Sequence, residues 1–332
     1  MSAEEYQRIR LWAGITGITL NTALVWAAYF VAPWFQFIDI PYLLLLAVWN
    51  AGAFAIMWPY DVFSGYVLEK AANRNGQSFA AWSRDWFEGA GLAWLAFLFA
   101  GLVFGYGFYL APELRIALYA VLLIPAGLVA FHPHRITPRR WTGKPDETYE
   151  TELQEALHDM VQPPVKIIWF DEADPLSVNA YAQPTASDTI VLSSNARGHL
   201  TPKQAALLCT RQRVLQMFPV SKLAPLLLIG WLFVGVGVAA YLPSTGKLTS
   251  AMAASAVITT WCLVALFVLP VFSRHLNIAA DRALAKIAGR ERTIELLELL
   301  QRLNATDRRL PTAIATVFHP IPPLETRLDR IP

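Results

Sequence analysis

Six runs without a charged residue dominate this chain. They cover residues 11–38, 40–60, 90–112, 116–130, 223–246 and 248–273. About 20 apolar residues in a helix span the hydrocarbon core of a bilayer, because backbone groups in lipid must be satisfied within the segment. Five of the runs reach that length, and the run at 116–130 approaches it when Leu114 and Phe131 are added. The chain is therefore expected to be a mostly α-helical, polytopic membrane protein with about six transmembrane helices. With 55% hydrophobic and 16% charged residues, it departs from an ordinary soluble composition in the same direction. A formal net charge of +2 points to no nucleic-acid partner. The first run is too long for the apolar stretch of a cleavable signal peptide, and acidic Glu4 and Glu5 precede it.

Basic residues between the runs give an orientation, because lysine and arginine accumulate on the cytoplasmic side. Arg8 and Arg10 precede the first run, and Lys70, Arg74 and Arg84 follow the second. Arg135, Arg139, Arg140 and Lys144 follow the fourth, and the tail is rich in arginine. The alternate loops hold only Arg115 and Lys247, or no basic residue at all. Both termini and the polar block at 132–222 are expected in the cytoplasm. This divides the chain into a membrane region at 1–131, a cytoplasmic α+β part at 132–222, two further spans at 223–273 and a helical tail at 274–332. Trp12, Trp34, Trp58 and Trp86 fall near span ends, as in an interfacial belt.

Within the polar block, residues 146–160 have the spacing of an acidic amphipathic helix with Leu153, Leu157 and Met160 on one side. Residues 165–170, 178–182 and 189–192 read as strands. Thr201, Pro202 and Gln204 form the start of a helix: an N-cap, a proline at the first helical position and the third-position partner of a capping box. That helix leads into the fifth run.

Several of these segments together resemble the integral-membrane zinc metallopeptidases of the CAAX prenyl protease and HtpX type, peptidase family 48 of the gluzincins. Residues 65–70 and 77–85 look like the family's first cytoplasmic loop. Ser177 to Gln183 resembles its Asn-Ala-Phe edge strand, and Thr189 to Ser194 the strand after it. Leu200 to Leu208 resembles the lead-in to the metal-binding helix. Ser273-Arg274 with Ala280-Asp281-Arg282, and His319-Pro320 with Arg327, fit two later elements. The resemblance covers nearly the whole chain. It implies a gluzincin-like cytoplasmic domain, an intramembrane cavity, and an edge strand at Asn179, Ala180 and Tyr181 that pairs with a peptide backbone.

The resemblance also places four chemical positions, and each holds the wrong residue. Zinc in such a site needs two imidazoles at i and i+4 on one helix face, a glutamate beside the first, and a third ligand from elsewhere. Arg211 and Leu215 stand at the imidazole positions, Gln212 at the glutamate and Asn277 at the third ligand. Arginine offers no lone pair, leucine has no donor atom, and a carboxamide cannot take a proton from water as a carboxylate can. No histidine lies between His199 and His275, so shifting the register restores nothing. Zinc is expected to be lost, with no other cofactor.

The remaining polar residues allow two kinds of reading. Arg211 with Asp281 reads either as an ion pair that replaces the metal as a clamp, or as an arginine snorkelling to headgroups beside an aspartate paired locally. His132 and His134 read as an interfacial turn, His158 as solvated and His199 as a loop residue. Cys209 and Cys262 read as apolar fillers, and Ser193-Ser194 lacks a nucleophile elbow. The expected function is that of an inactive membrane pseudoprotease, regulatory or scaffolding, that binds a peptide, a lipid or a membrane-protein partner. A residual site would comprise Asp281, His319 and Arg327. One alternative is an active membrane hydrolase that uses His275, Asp281 or His319. Another is a structural subunit of a membrane assembly.

Overall fold

The computed structural model describes residues 3–35, 40–131, 143, 146–160, 165–182, 188–243, 246–305 and 321–332. The chain divides into two compact units, residues 1–127 with 227–265 and residues 128–226 with 266–332. The helices Pro219–Ala240 and Lys247–Ala288 each run from one unit into the other.

The first unit holds helices Ala3–Phe35, Tyr42–Asp61 and Phe79–Tyr106 and parts of the two shared helices. Among the described residues, five helices are long and apolar enough to cross a membrane: Glu5–Phe35, Tyr42–Ala71, Phe79–Tyr109, Leu223–Ala240 and Lys247–Ala288. Large apolar side chains point outward along them; Leu92 is 72% exposed and Phe30 67%. Such surfaces are stable in lipid, and the chain is an integral membrane protein. Small residues fill the inside of the unit, with Ala28, Ala32, Ala240, Ala251 and Ala254 buried together. Small side chains let helices approach closely where the surrounding lipid supplies no hydrophobic drive. Gly105 shows the need, because a Cβ there would collide with the Tyr42 hydroxyl, which donates to the Gly101 carbonyl at 2.6 Å.

The fourth apolar run differs from the single helix expected for it. It folds as two short helices, Pro112–Ala120 and Leu123–Phe131. Pro125 has no N–H to give the Val121 carbonyl, and its ring crowds that turn. The Ile124 amide bonds Val121 instead, at 3.2 Å. Arg115, at the start of this pair, closes another helix. Its guanidinium donates to the carbonyls of Ala240 and Leu242, both at 3.3 Å, where the Pro219–Ala240 helix leaves acceptors unpaired. The segment that resembles the family's first cytoplasmic loop, at 65–70 and 77–85, is largely helical. The second helix continues through a π-helical turn at Val62–Val67 to Ala71, and the next begins at Phe79 behind the Ser78 N-cap. Trp58 and Trp86 pack face to edge there, at 4.5 Å between ring centroids.

The second unit is built on a three-stranded sheet, β1 (Lys166–Phe170), β2 (Ala180–Ala182) and β3 (Thr189–Ser193), in the order β1-β3-β2. β3 runs parallel to β1 and antiparallel to β2. The central strand is buried along its whole length, as its unbroken β-branched and aliphatic sequence requires. Helices Glu147–Met160 and Pro202–Met217 pack with the sheet around Leu153, Leu157, Ile190, Leu192 and Leu208. Leu284 and Leu296 join that core from helices Lys247–Ala288 and Arg290–Leu303.

Candidate functional site

The Pro202–Met217 helix starts as its sequence predicts. Thr201 Oγ1 accepts from the Gln204 amide at 3.3 Å, and Gln204 Oε1 accepts from the Thr201 amide at 2.9 Å. Ala205, Ala206, Leu208 and Cys209 are buried in the core. Burial pushes the Cys209 thiol up to about 12, which suits a packing residue and not a nucleophile. Arg211 follows two residues later and is only 6% exposed. It is not a snorkelling side chain.

The partners of Arg211 come from distant segments. Asn277 and Asp281 lie at i and i+4 on one face of the Lys247–Ala288 helix, where such pairs meet. Arg327 comes from the short helix Leu324–Leu328. Arg211 Nε donates to Asp281 Oδ1 at 2.7 Å, and Arg211 Nη2 donates to Asn277 Oδ1 at 2.7 Å. Arg327 holds the same carboxylate in a fork, Nε to Oδ2 at 2.7 Å and Nη2 to Oδ1 at 3.0 Å. Asn277 is oriented by its own helix, since Nδ2 donates to the Ser273 carbonyl at 2.8 Å. Asp281 is fully buried and pairs across the unit, not locally. Burial lowers the proton affinity of Arg211, and Arg327 adds to this, while Asp281 opposes both. Guanidinium remains protonated in any such setting.

So the cluster contains Arg211, Asn277, Asp281 and Arg327. Gln212 and Leu215 sit half-buried on the same helix and take no part in its hydrogen bonds. His275 is exposed, with its ring on the Val271 carbonyl of its own helix at 2.9 Å. Two positions from Asn277, it faces another side of the helix. His132, His134, His319 and the basic residues Arg135, Arg139, Arg140 and Lys144 lie outside the described residues. Among the described residues, no three His, Cys, Asp or Glu side chains gather as a metal-binding group.

β2 is an edge strand of the sheet. Ser193 N donates to the Asn179 carbonyl at 2.9 Å, so Asn179 points its backbone toward β3. Alternation then turns the backbone groups of Val178, Ala180 and Ala182 outward. Those of Val178 are already taken. Asn304 Oδ1 accepts from the Val178 amide at 2.8 Å, and Asn304 Nδ2 donates to its carbonyl at 3.0 Å. The Asn179 side chain turns away from the edge, donating to Glu172 Oε1 at 2.5 Å and Ser177 Oγ at 2.9 Å. Tyr181 is half-exposed, with its ring 5.5 Å from that of Phe170. Sequence reasoning missed Asn304. The one local signal is an asparagine ending a helix, followed by Ala305 at φ 47°.

No family model matches the chain, and no curated protein matches it by sequence. Among solved structures it is similar to S. mikatae Ste24p, with a TM-score of 0.65 over 94% of this chain and 80% of that one, at 14% identity. At that identity the likeness is one of fold.

Proposed function

We propose that this protein is a metal-free member of the membrane metallopeptidase scaffold that acts by binding an extended peptide or a membrane-protein partner. The observation that carries the reading is the charged cluster at the positions where the resemblance expects zinc chemistry. Arg211 and Asn277 stand at two of the ligand positions and bond to each other, while Asp281 ties Arg211 to Arg327. A zinc ion does not fit this set. It would meet a permanent cation at one ligand position, leucine at another and a carboxamide at the third. Gln212 stands in the place of the glutamate, and the carboxylate of the cluster, Asp281, is held by two guanidiniums. The guanidinium does the mechanical part of a metal's work, joining two helices through a fixed cation.

The likeness to Ste24p supports the scaffold half of this reading. The edge position of β2 supports the binding half, because among the described residues no strand pairs with its outer side, and such a strand accepts another by main-chain hydrogen bonds. The test is elemental mass spectrometry on detergent-purified protein, with a peptidase assay on the same sample. Near-zero zinc and no cleavage are expected. About one zinc per chain, the stoichiometry of a single tetrahedral site, would overturn the proposal.

A further inference from the structure

The cluster holds more positive charge than it neutralises. Arg211 and Arg327 share the single carboxylate of Asp281, and Asn277 is neutral. Asp281 and Arg327 are the charged groups that act on Arg211, so among the described residues no second carboxylate balances Arg211. Among the described residues the cluster carries one net positive charge, with the Arg211 side chain 7% exposed and that of Arg327 13%. A buried charge without a counter-ion is costly to keep, so this arrangement favours an anion. The donors are also incomplete. The hydrogen bonds use Nε and Nη2 of both arginines, and Nη1 of neither. Neither Nη1 is among the sealed, unpartnered polar atoms of the molecule. The helix that carries Arg211 packs against β2, the edge strand of the sheet.

We infer that Arg211 and Arg327 form a receptor for one carboxylate of a peptide, supplied by its C-terminus or by an acidic side chain. Paired planar guanidiniums match a carboxylate through forked hydrogen bonds, and the guest restores neutrality around Asp281. The inference rests on the metal-free reading of this site and gives it a ligand class.

Isothermal titration calorimetry on the full chain in neutral detergent tests it. The probes are the acetylated peptide Ala-Val-Thr-Val-Thr-Ala as the free acid, its C-terminal amide, and the amide with an internal glutamate. Sodium acetate and sodium phosphate are run beside them at matched ionic strength. Binding of the free acid about tenfold tighter than the amide, with the difference lost in Arg211→Gln, is the expected result. Arg211→Gln leaves a balanced Asp281–Arg327 pair and is expected to fold. If it does not, Arg211→Lys keeps the charge without the fork and should bind the acid several-fold more weakly. Recovery of affinity by the internal glutamate alone assigns the carboxylate to a side chain. Equal affinity for the free acid, the amide and the glutamate-bearing amide, or a preference that survives Arg211→Gln, overturns the inference. So does tighter binding of phosphate than of any carboxylate. Acetate needs no strand pairing, so an acetate effect without peptide binding sinks the peptide as carrier while leaving the cluster an anion site. Zinc content of the same sample reports separately on the metal-free reading.

Discussion

Asp281 is the residue on which the cluster turns. Its side chain is 1% exposed and bonds to two guanidiniums. Removing the one anion from a buried ion network is costly because the cations stay in place; the usual penalty is about 3 kcal/mol or more. Removing Arg211 instead leaves one arginine on one aspartate. The expected order of thermal stability is therefore wild type close to Arg211→Gln, with Asp281→Asn well below both. Scanning fluorimetry in one detergent checks it, and an Asp281→Asn variant as stable as wild type would contradict this account. Arg211 also shows how far one residue can be read from sequence. Its identity excluded zinc coordination at once. Whether it faced lipid headgroups or a carboxylate depended on where Asp281 lay, 70 positions away.

The elements differ in how legible they are. The Pro202–Met217 helix was readable from Thr201, Pro202 and Gln204, because a capping box is satisfied within one turn. The strands were readable from β-branched runs, although β2 proved shorter than the extended piece expected at 178–182. The fourth run was misread because hydropathy does not register Pro125, whose missing donor breaks the segment into Pro112–Ala120 and Leu123–Phe131. The role of Asn304 was not legible at all, since an asparagine at a helix end is ordinary and its partner lies 126 positions away. Asn304 occupies the Val178 backbone as a neighbouring strand would, so it limits a guest strand to Ala180 and Ala182. Asn304→Ala should lose the two hydrogen bonds to buried Val178 and a third from the Ser177 hydroxyl, for a cost of about 1–3 kcal/mol. Hydrogen–deuterium exchange should show the Val178 amide exchanging faster while the β1–β3 pairing stays protected. Unchanged protection at Val178 would remove Asn304 from this role.

At the scale of the whole molecule, the distribution of basic residues carries one more expectation. Reporter fusions or accessible-cysteine tags at the two ends should both report the cytoplasm, and the loop near Lys247 should report the opposite side. The reverse labelling would mean that loop charge does not orient this chain. The sequence by itself determined that the chain lives in a bilayer, and that Arg211 and Leu215 carry no side-chain lone pair for a metal. These properties depend on composition and on spacing within a few turns, and each is complete in a short segment. Only the tertiary structure decided what surrounds Arg211. Arg211, Asn277, Asp281 and Arg327 come from three helices and meet because the hydrophobic core around Leu208, Leu284 and Leu296 brings their backbones together. Burial then forces the charges to pair, since an isolated ion in that interior would be too costly to keep. The same packing brings Asn304 to the edge of β2, where it takes up the backbone groups of Val178.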